Sequence, residues 1–309
     1  MLLKGIFAEH VPYRKFLILV GLTLIFAVVF TMLGSFLSAA LYGLNIMTDP
    51  NVLSDLHNPA VVSSMKLIQL FSSLGAFVLP PITAAYLFDG SPADYLKLNK
   101  RISLPLVALV ILLLIVITPF INWMLEWNGT LHLPSSMKAV EDWMKASETQ
   151  AGQITDMFMN DISIKGLIVN LFIIALLPAI GEELLFRGVI QRLFKEMGTS
   201  IHVSILLTAV LFSALHMQFF GFFPRFALGV LLGYLMYWSG SIRLSMLAHF
   251  INNALAVTFG WMAARHYLSF DQDKLGTLPG QQLILGMSVF LTWALIFILR
   301  KQGERINRG

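Results

Sequence analysis

Long apolar runs and short charged loops alternate along this chain. Runs free of Asp, Glu, Lys and Arg, allowing one charged group in the middle, extend from Phe16 to Thr48 and over about 67–88, 102–125, 166–191, 200–221, 226–240, 244–264 and 280–299. Those after the first are each near the ~20 residues that cross ~30 Å of hydrocarbon at about 1.5 Å per residue. The pattern predicts eight transmembrane helices, two of them abutting closely around Gly240. The fold class is therefore all-α, a polytopic integral membrane protein. The first run is too long for a signal peptide's apolar region, and "FLSAAL" is a poor cleavage site, so it reads as a retained anchor. No internal repeat, Gly/Ser linker or low-complexity tract interrupts residues 1–309, so one integrated membrane domain is expected.

Composition agrees: 57% of residues are hydrophobic and only 12% are charged, where a soluble domain carries roughly 25%. Read by position, the net charge of +4 is topological. Lys4, Arg14 and Lys15 precede the first run, and Lys97, Lys100 and Arg101 follow the second. Arg192 and Lys195 follow the fourth; Arg300, Lys301, Arg305 and Arg308 follow the eighth. The intervening loops carry Asp49 and Asp55, then Glu126, Glu141, Asp142, Glu148, Asp156 and Asp161, then Asp271 and Asp273. A basic excess in every second loop places both termini in the cytoplasm, and a bacterial inner membrane is the expected location. Nothing in this arrangement forms a nucleic-acid patch, so the partners expected are the bilayer and a protein or peptide substrate. The chain has no cysteine, which excludes disulfides, thiolate metal sites and a cysteine nucleophile.

The connection over 128–165 is long enough to fold outside the hydrocarbon. Pro134 and Ser136 precede Met137, Val140 and Met144 at helical spacing, which predicts an amphipathic helix near the outer surface, either a plain surface helix or a cover.

Against this background "AIGEELLFRG", residues 179–188, is anomalous: two glutamates and an arginine lie midway along an apolar run. A carboxylate at that depth costs several kcal/mol unless it is paired, protonated or facing water. Glu183 and Arg187 are four apart with the glutamate N-terminal, the better order for an ion pair on one face. Glu182 is rotated by about 100° from that face and needs a partner on another helix. Of seven histidines, His10, His57, His132, His202 and His266 lie in loops or near helix ends, and His216 and His249 lie well inside runs; His216 shares a face with Phe212, and His249 with Asn253. Taken singly, such residues are interhelical hydrogen-bonding glue more often than chemistry. Taken together, in the last half of one chain, they point to a site.

In this order, E-E-x-x-x-R (Glu182, Glu183, Arg187), F-x-x-x-H (Phe212, His216) and H-x-x-x-N (His249, Asn253), the chain resembles the CAAX protease and bacteriocin-processing family of intramembrane proteases, also called Abi proteins. The resemblance covers about 166–260. It implies a glutamate-dependent endopeptidase like the type II prenyl-protein endopeptidases, without a cofactor. It further implies that Glu182 and His216 activate a water, that His249 and Asn253 stabilise the oxyanion, and that the substrate is membrane-associated, lipidated or not.

The residue chemistry is consistent with that. Amide hydrolysis needs a base for water and donors aimed where negative charge develops. Glu183 with Arg187 then reads as structural. Other readings stay open: a zinc site of Glu182, His216 and His249, although H-E-x-x-H is absent; a transporter, although no broken-helix repeat is visible; and a non-catalytic scaffold or self-immunity protein of the same family. Gly229 and Gly233 in "GVLLG" predict close helix packing within the molecule, and Pro80, Pro81 and Pro178 predict bends in the second and fourth runs. Phe186 and Phe212, one turn from Glu182 and His216 on their faces, are expected to meet.

Overall fold

The computed structural model describes residues 3–44, 56–268 and 271–308, and among these no strand occurs. The expected acidic residues Asp49 and Asp55, and the end of the first apolar run beyond residue 44, lie outside the described residues. The longer helices among the described residues are α1 (Pro12–Tyr42), α2 (Pro59–Phe88), α3 (Leu104–Val116), α4 (Thr118–Gly129), α5 (Lys138–Met159) and α6 (Ile164–Glu196). They continue with α7 (Ile201–Ala214), α8 (Phe222–Ser239), α9 (Ile242–Ala264) and α10 (Gln282–Arg308). Their starts follow the polar punctuation of the sequence. The side chains of Asn58, Ser163 and Ser200 cap α2, α6 and α7 by accepting from the backbone N–H groups of Ala60, Gly166 and Val203. Gly240, at φ 68°, ends α8 in the left-handed conformation, and Ser241 begins α9 at once, which is the expected abutment.

Each of the eight expected spans falls on a helix, or on the pair α3–α4, which bends by 45°. Five are long and apolar enough to cross a bilayer, six if the bent pair is one span. The other two depart from the expectation of eight full crossings. Helix α7 has 14 residues, about 21 Å at ~1.5 Å per residue, and α9 has 23 residues but lower apolarity. The sequence pattern missed the early end of α7 because the residues after it, "MQFFG", carry no charge.

Three wide, π-helical turns interrupt the long helices: Leu74–Val78 in α2, and Leu171–Leu176 and Leu184–Ile190 in α6. The first two come just before Pro80–Pro81 and Pro178. A proline removes an N–H and crowds the carbonyl four residues back, and the wider turn absorbs both effects. The predicted bends thus take the form of inserted turns.

Helix α6 runs through the centre. Phe186, Val189 and Leu193 pack with Ala84, Ala85 and Phe88 of α2 and Phe212 of α7. A second cluster joins α3, α8, α9 and α10 through Leu113, Leu232, Leu244 and Leu299. Gly229 and Gly233 of α8 face α7 closely, since a Cβ at Gly229 would come within 3.0 Å of the Ala209 Cβ, and one at Gly233 within 2.8 Å of Ile205. The close-packing role read from "GVLLG" holds. Large apolar side chains such as Phe36, Phe290 and Trp293 point outward, as a lipid-facing surface requires.

One end of the bundle gathers the basic loops. The backbone N–H groups of Gly5 and Phe7 donate to Tyr86 and Leu87, Arg192 donates to the Tyr95 carbonyl, and Ser241 donates to that of Lys100. Helix α5 sits toward the other end. Its last turn is held by Lys66 and Asn170, which both donate to the Phe158 carbonyl, at 3.0 and 2.8 Å. Lys66 corrects the sequence reading, which began the second span at about residue 67 and so left this lysine outside it. The helix begins at Pro59 and buries that lysine, its cation set against a helix C-terminus.

Candidate active site

The glutamates of α6 divide two environments between them. Glu183 is fully buried, and its carboxylate is the focus of three side chains. Arg187 Nη1 donates to Oε1 at 2.7 Å, His249 Nδ1 lies 3.0 Å from the same oxygen, and Ser245 donates its hydroxyl to Oε2. Arg187 also donates to the Gly229 carbonyl at 3.0 Å and stacks its guanidinium on the Phe212 ring, 4.6 Å from the centroid. Helices α6, α7, α8 and α9 are therefore tied at one level by a satisfied carboxylate and a guanidinium, both shielded from solvent. The sequence reading gave Glu183 to Arg187 alone. The contact with His249 is tertiary and extends that role. Ser245 had a legible signal, lying one turn before His249 on the same face.

Glu182 faces the other way, into a cavity of about 860 Å³. Its Oε2 is buried and makes no hydrogen bond to protein. The Nε2 atoms of His249 and His216 lie 3.8 and 3.9 Å from it. Each imidazole is oriented through its other nitrogen: His249 by Glu183, and His216 by a 2.7 Å contact from Nδ1 to the Phe212 carbonyl. A carbonyl only accepts, so Nδ1 of His216 carries a proton, and when the ring is neutral Nε2 presents its lone pair to the cavity. Asn253 lines the cavity, and its Oδ1 accepts from Asn252 at 3.2 Å, which leaves its own N–H groups to donate. Phe212 touches both imidazoles edge-on, at centroid distances of 4.9 and 5.7 Å, and closes the floor.

All six sequence-selected residues thus converge, Glu182, His216, His249 and Asn253 on the cavity and Glu183 and Arg187 behind it. The reading of His216 as lying inside a span is corrected. Helix α7 ends at Ala214, and His216 stands in the turn beyond it, followed by Met217 at φ 55°. Thr155, Asp156, Met159 and Asn160, at the end of α5, line the same cavity, which makes the amphipathic helix part of its wall. Among the described residues no three His, Asp or Glu side chains are grouped to hold a metal ion.

Phe186 and Phe212 do meet, edge to face at 5.3 Å between centroids. In this cysteine-free chain, Phe186→Cys with Phe212→Cys should be joined by oxidation or by a short bifunctional reagent, since a disulfide spans Cα separations of roughly 4.4–6.8 Å. Phe186→Cys paired with the outward-facing Leu206→Cys should not. Equal yields for the two pairs on denaturing gels would contradict the packing of α6 against α7.

The arrangement defines the chain as a helical membrane protein with a buried glutamate–histidine site. Residues 164–255 match the family described as type II CAAX prenyl endopeptidase Rce1-like, a stretch that holds every residue of the constellation. Among curated proteins, "Uncharacterized protein YpbD" of Bacillus subtilis (strain 168) is 31% identical over 121 residues, 38% of this chain and 57% of that protein. No solved structure matches the chain.

Proposed function

We propose that the chain is an intramembrane endopeptidase that hydrolyses a peptide bond of a membrane-associated protein or peptide, prenylated or not, with both termini in the cytoplasm of a bacterial cell. The observation that carries this reading is the Glu182 oxygen, buried in a cavity without a protein hydrogen bond and facing two oriented imidazoles. Oxygen–nitrogen gaps of 3.8 and 3.9 Å are too long for direct hydrogen bonds and suit a bridging water. In the mechanism, Glu182 with His216 takes a proton from that water as its oxygen attacks the scissile carbonyl carbon. Asn253 Nδ2 and, in its doubly protonated form, His249 Nε2 donate to the oxyanion. Collapse breaks the C–N bond as the proton passes to the leaving amine. Glu183 holds His249 in place, and Arg187 holds Glu183. The match to an endopeptidase family over 164–255 supports the reaction class.

Comparative peptidomics of cells carrying the wild-type chain or Glu182→Gln tests the reading. Peptides or protein termini that appear only with the wild-type chain support it and name the substrate. Identical peptidomes from two equally expressed proteins would favour the non-catalytic scaffold. Activity should also survive exhaustive chelation, with elemental analysis finding less than one metal per chain. Stoichiometric zinc, lost together with activity and restored with it, would overturn the metal-free mechanism.

A further inference from the structure

Arg225 has no part in that mechanism, yet it lines the cavity that Glu182 faces. It lies in the first turn of α8, where Nη1 donates to the Gln218 carbonyl at 2.7 Å and Nη2 to the Gln218 side chain at 2.6 Å. Its guanidinium rests on Gly221, where a Cβ would come within 2.7 Å of Nη2, so the absence of a side chain there makes room for it. The loop carrying Gln218 is itself braced. Phe220 N–H donates to Glu148 of α5, Phe223 N–H donates to Asn128 of α4, and Asn128 donates to the Phe219 carbonyl. Among the described residues no carboxylate forms a direct ion pair with Arg225; Glu148, which accepts from Phe220 N–H, and Glu182 across the cavity attract its charge from farther away. A half-buried, braced guanidinium with no carboxylate in direct contact, in an apolar bundle, is costly to keep unless it has a use.

The same side chain borders a second, apolar pocket of about 160 Å³, formed with Leu114, Ile117, Ile121, Leu228 and Leu231. We infer that Arg225 is the substrate's carboxylate anchor, receiving an anionic group next to an aliphatic side chain that enters the α3–α4–α8 pocket. The carboxylate belongs to the substrate's C-terminus or to an Asp or Glu side chain; the two share one chemistry and bind the planar guanidinium alike. With two N–H groups committed to Gln218, three of the five remain for it. The inference rests on the endopeptidase reading for the word substrate, but its test reads binding.

Full-length Glu182→Gln protein, immobilised in detergent, is presented with pooled ten-residue peptides of random apolar sequence. Each is made as the free acid and as the carboxamide, and each with or without one internal Asp or Glu. Bound peptides are counted by mass spectrometry. Free acids or internally acidic peptides should be retained about tenfold over their neutral counterparts, the ratio that roughly 1.4 kcal/mol of charge-assisted hydrogen bonding gives. Whichever of the two is enriched identifies the source of the carboxylate. Adding Arg225→Gln should bring the ratio to about one, and Arg225→Lys should restore part of it. A residue that merely braced the loop through Gln218 would lower retention of acids and amides alike and leave the ratio unmoved. An unmoved ratio, or no enrichment of carboxylates at the start, overturns the anchor. Cleavage of the same pool by the wild-type chain is scored separately. Cleavage with an unmoved ratio removes the anchor and leaves the protease, whereas Arg225-dependent binding without cleavage leaves the anchor and removes the protease.

Discussion

Replacing Glu182 by Gln should reduce peptide hydrolysis by roughly 10²–10⁴-fold, the usual contribution of a general base, and leave the detergent melting temperature almost unchanged. The two effects separate because of where the carboxylate sits. Glu182 Oε2 has no hydrogen bond to protein to lose, and the nearest imidazole nitrogens are 3.8 and 3.9 Å away. An isosteric amide therefore removes the proton acceptor without opening a void or stranding a partner. Rates on a substrate found by peptidomics, with melting curves from the same preparations, make the check. Retention of more than about a tenth of the wild-type rate would remove Glu182 from the role of base.

Glu183→Gln should do the reverse to stability. Three donors converge on that carboxylate, from Arg187, His249 and Ser245. An amide offers one acceptor oxygen and no charge; its N–H₂ group can be received by the Ser245 hydroxyl, but the guanidinium of Arg187 cannot accept. It also leaves Arg187, whose side chain is fully buried, without its contacting counter-charge, with only Glu182 attracting it from farther away. Breaking a buried pair by removing one partner costs about 3–5 kcal/mol, so folded yield and melting temperature should fall sharply. Activity per folded molecule should drop as well, since His249 loses what orients it. A melting temperature indistinguishable from wild type would show that Arg187 is neutralised elsewhere and that the carboxylate does not hold the four helices together.

The neighbouring glutamates show what the linear sequence makes legible. Depth and helical phase were enough to say that Glu183 faces Arg187 and that Glu182 must look elsewhere, because both statements concern one helix. The three motifs also brought the right side chains together, since α6 is joined to α7, and α8 to α9, by short turns that hold the motif-bearing helices side by side. What could not be read was whatever depends on where a neighbour's backbone lies. The Gly229 carbonyl that accepts from Arg187 belongs to α8, and nothing in a side-chain pattern marks a carbonyl as a partner. Lys66 was passed over because hydropathy placed the start of its helix eight residues late, whereas Asn58 caps it and Pro59 opens it. His216 was placed inside a span because apolar residues continue past the helix end. Met217, at φ 55°, turns the chain out of the helix without any change in hydropathy to announce it.

The wide turn over Leu184–Ile190 bears on how this protein tolerates insertions and deletions. Such a turn accommodates one more residue than an ordinary α-helical turn. Losing a residue there is locally inexpensive, because the backbone can close into regular helix with its hydrogen bonds made. The halves on either side stay in phase, because an ordinary turn completes the same rotation with one residue fewer, whereas a deletion in regular helix turns every later side chain by about 100°. Glu182 and Glu183 lie on one side of that point, and Gln191 and Leu193, which face Gly233 and the core, lie on the other. This turn is thus the place where the helix absorbs a one-residue change in length while its catalytic half and its anchoring half keep their relative phase, and a loss in the regular helix on either side would not be absorbed in this way.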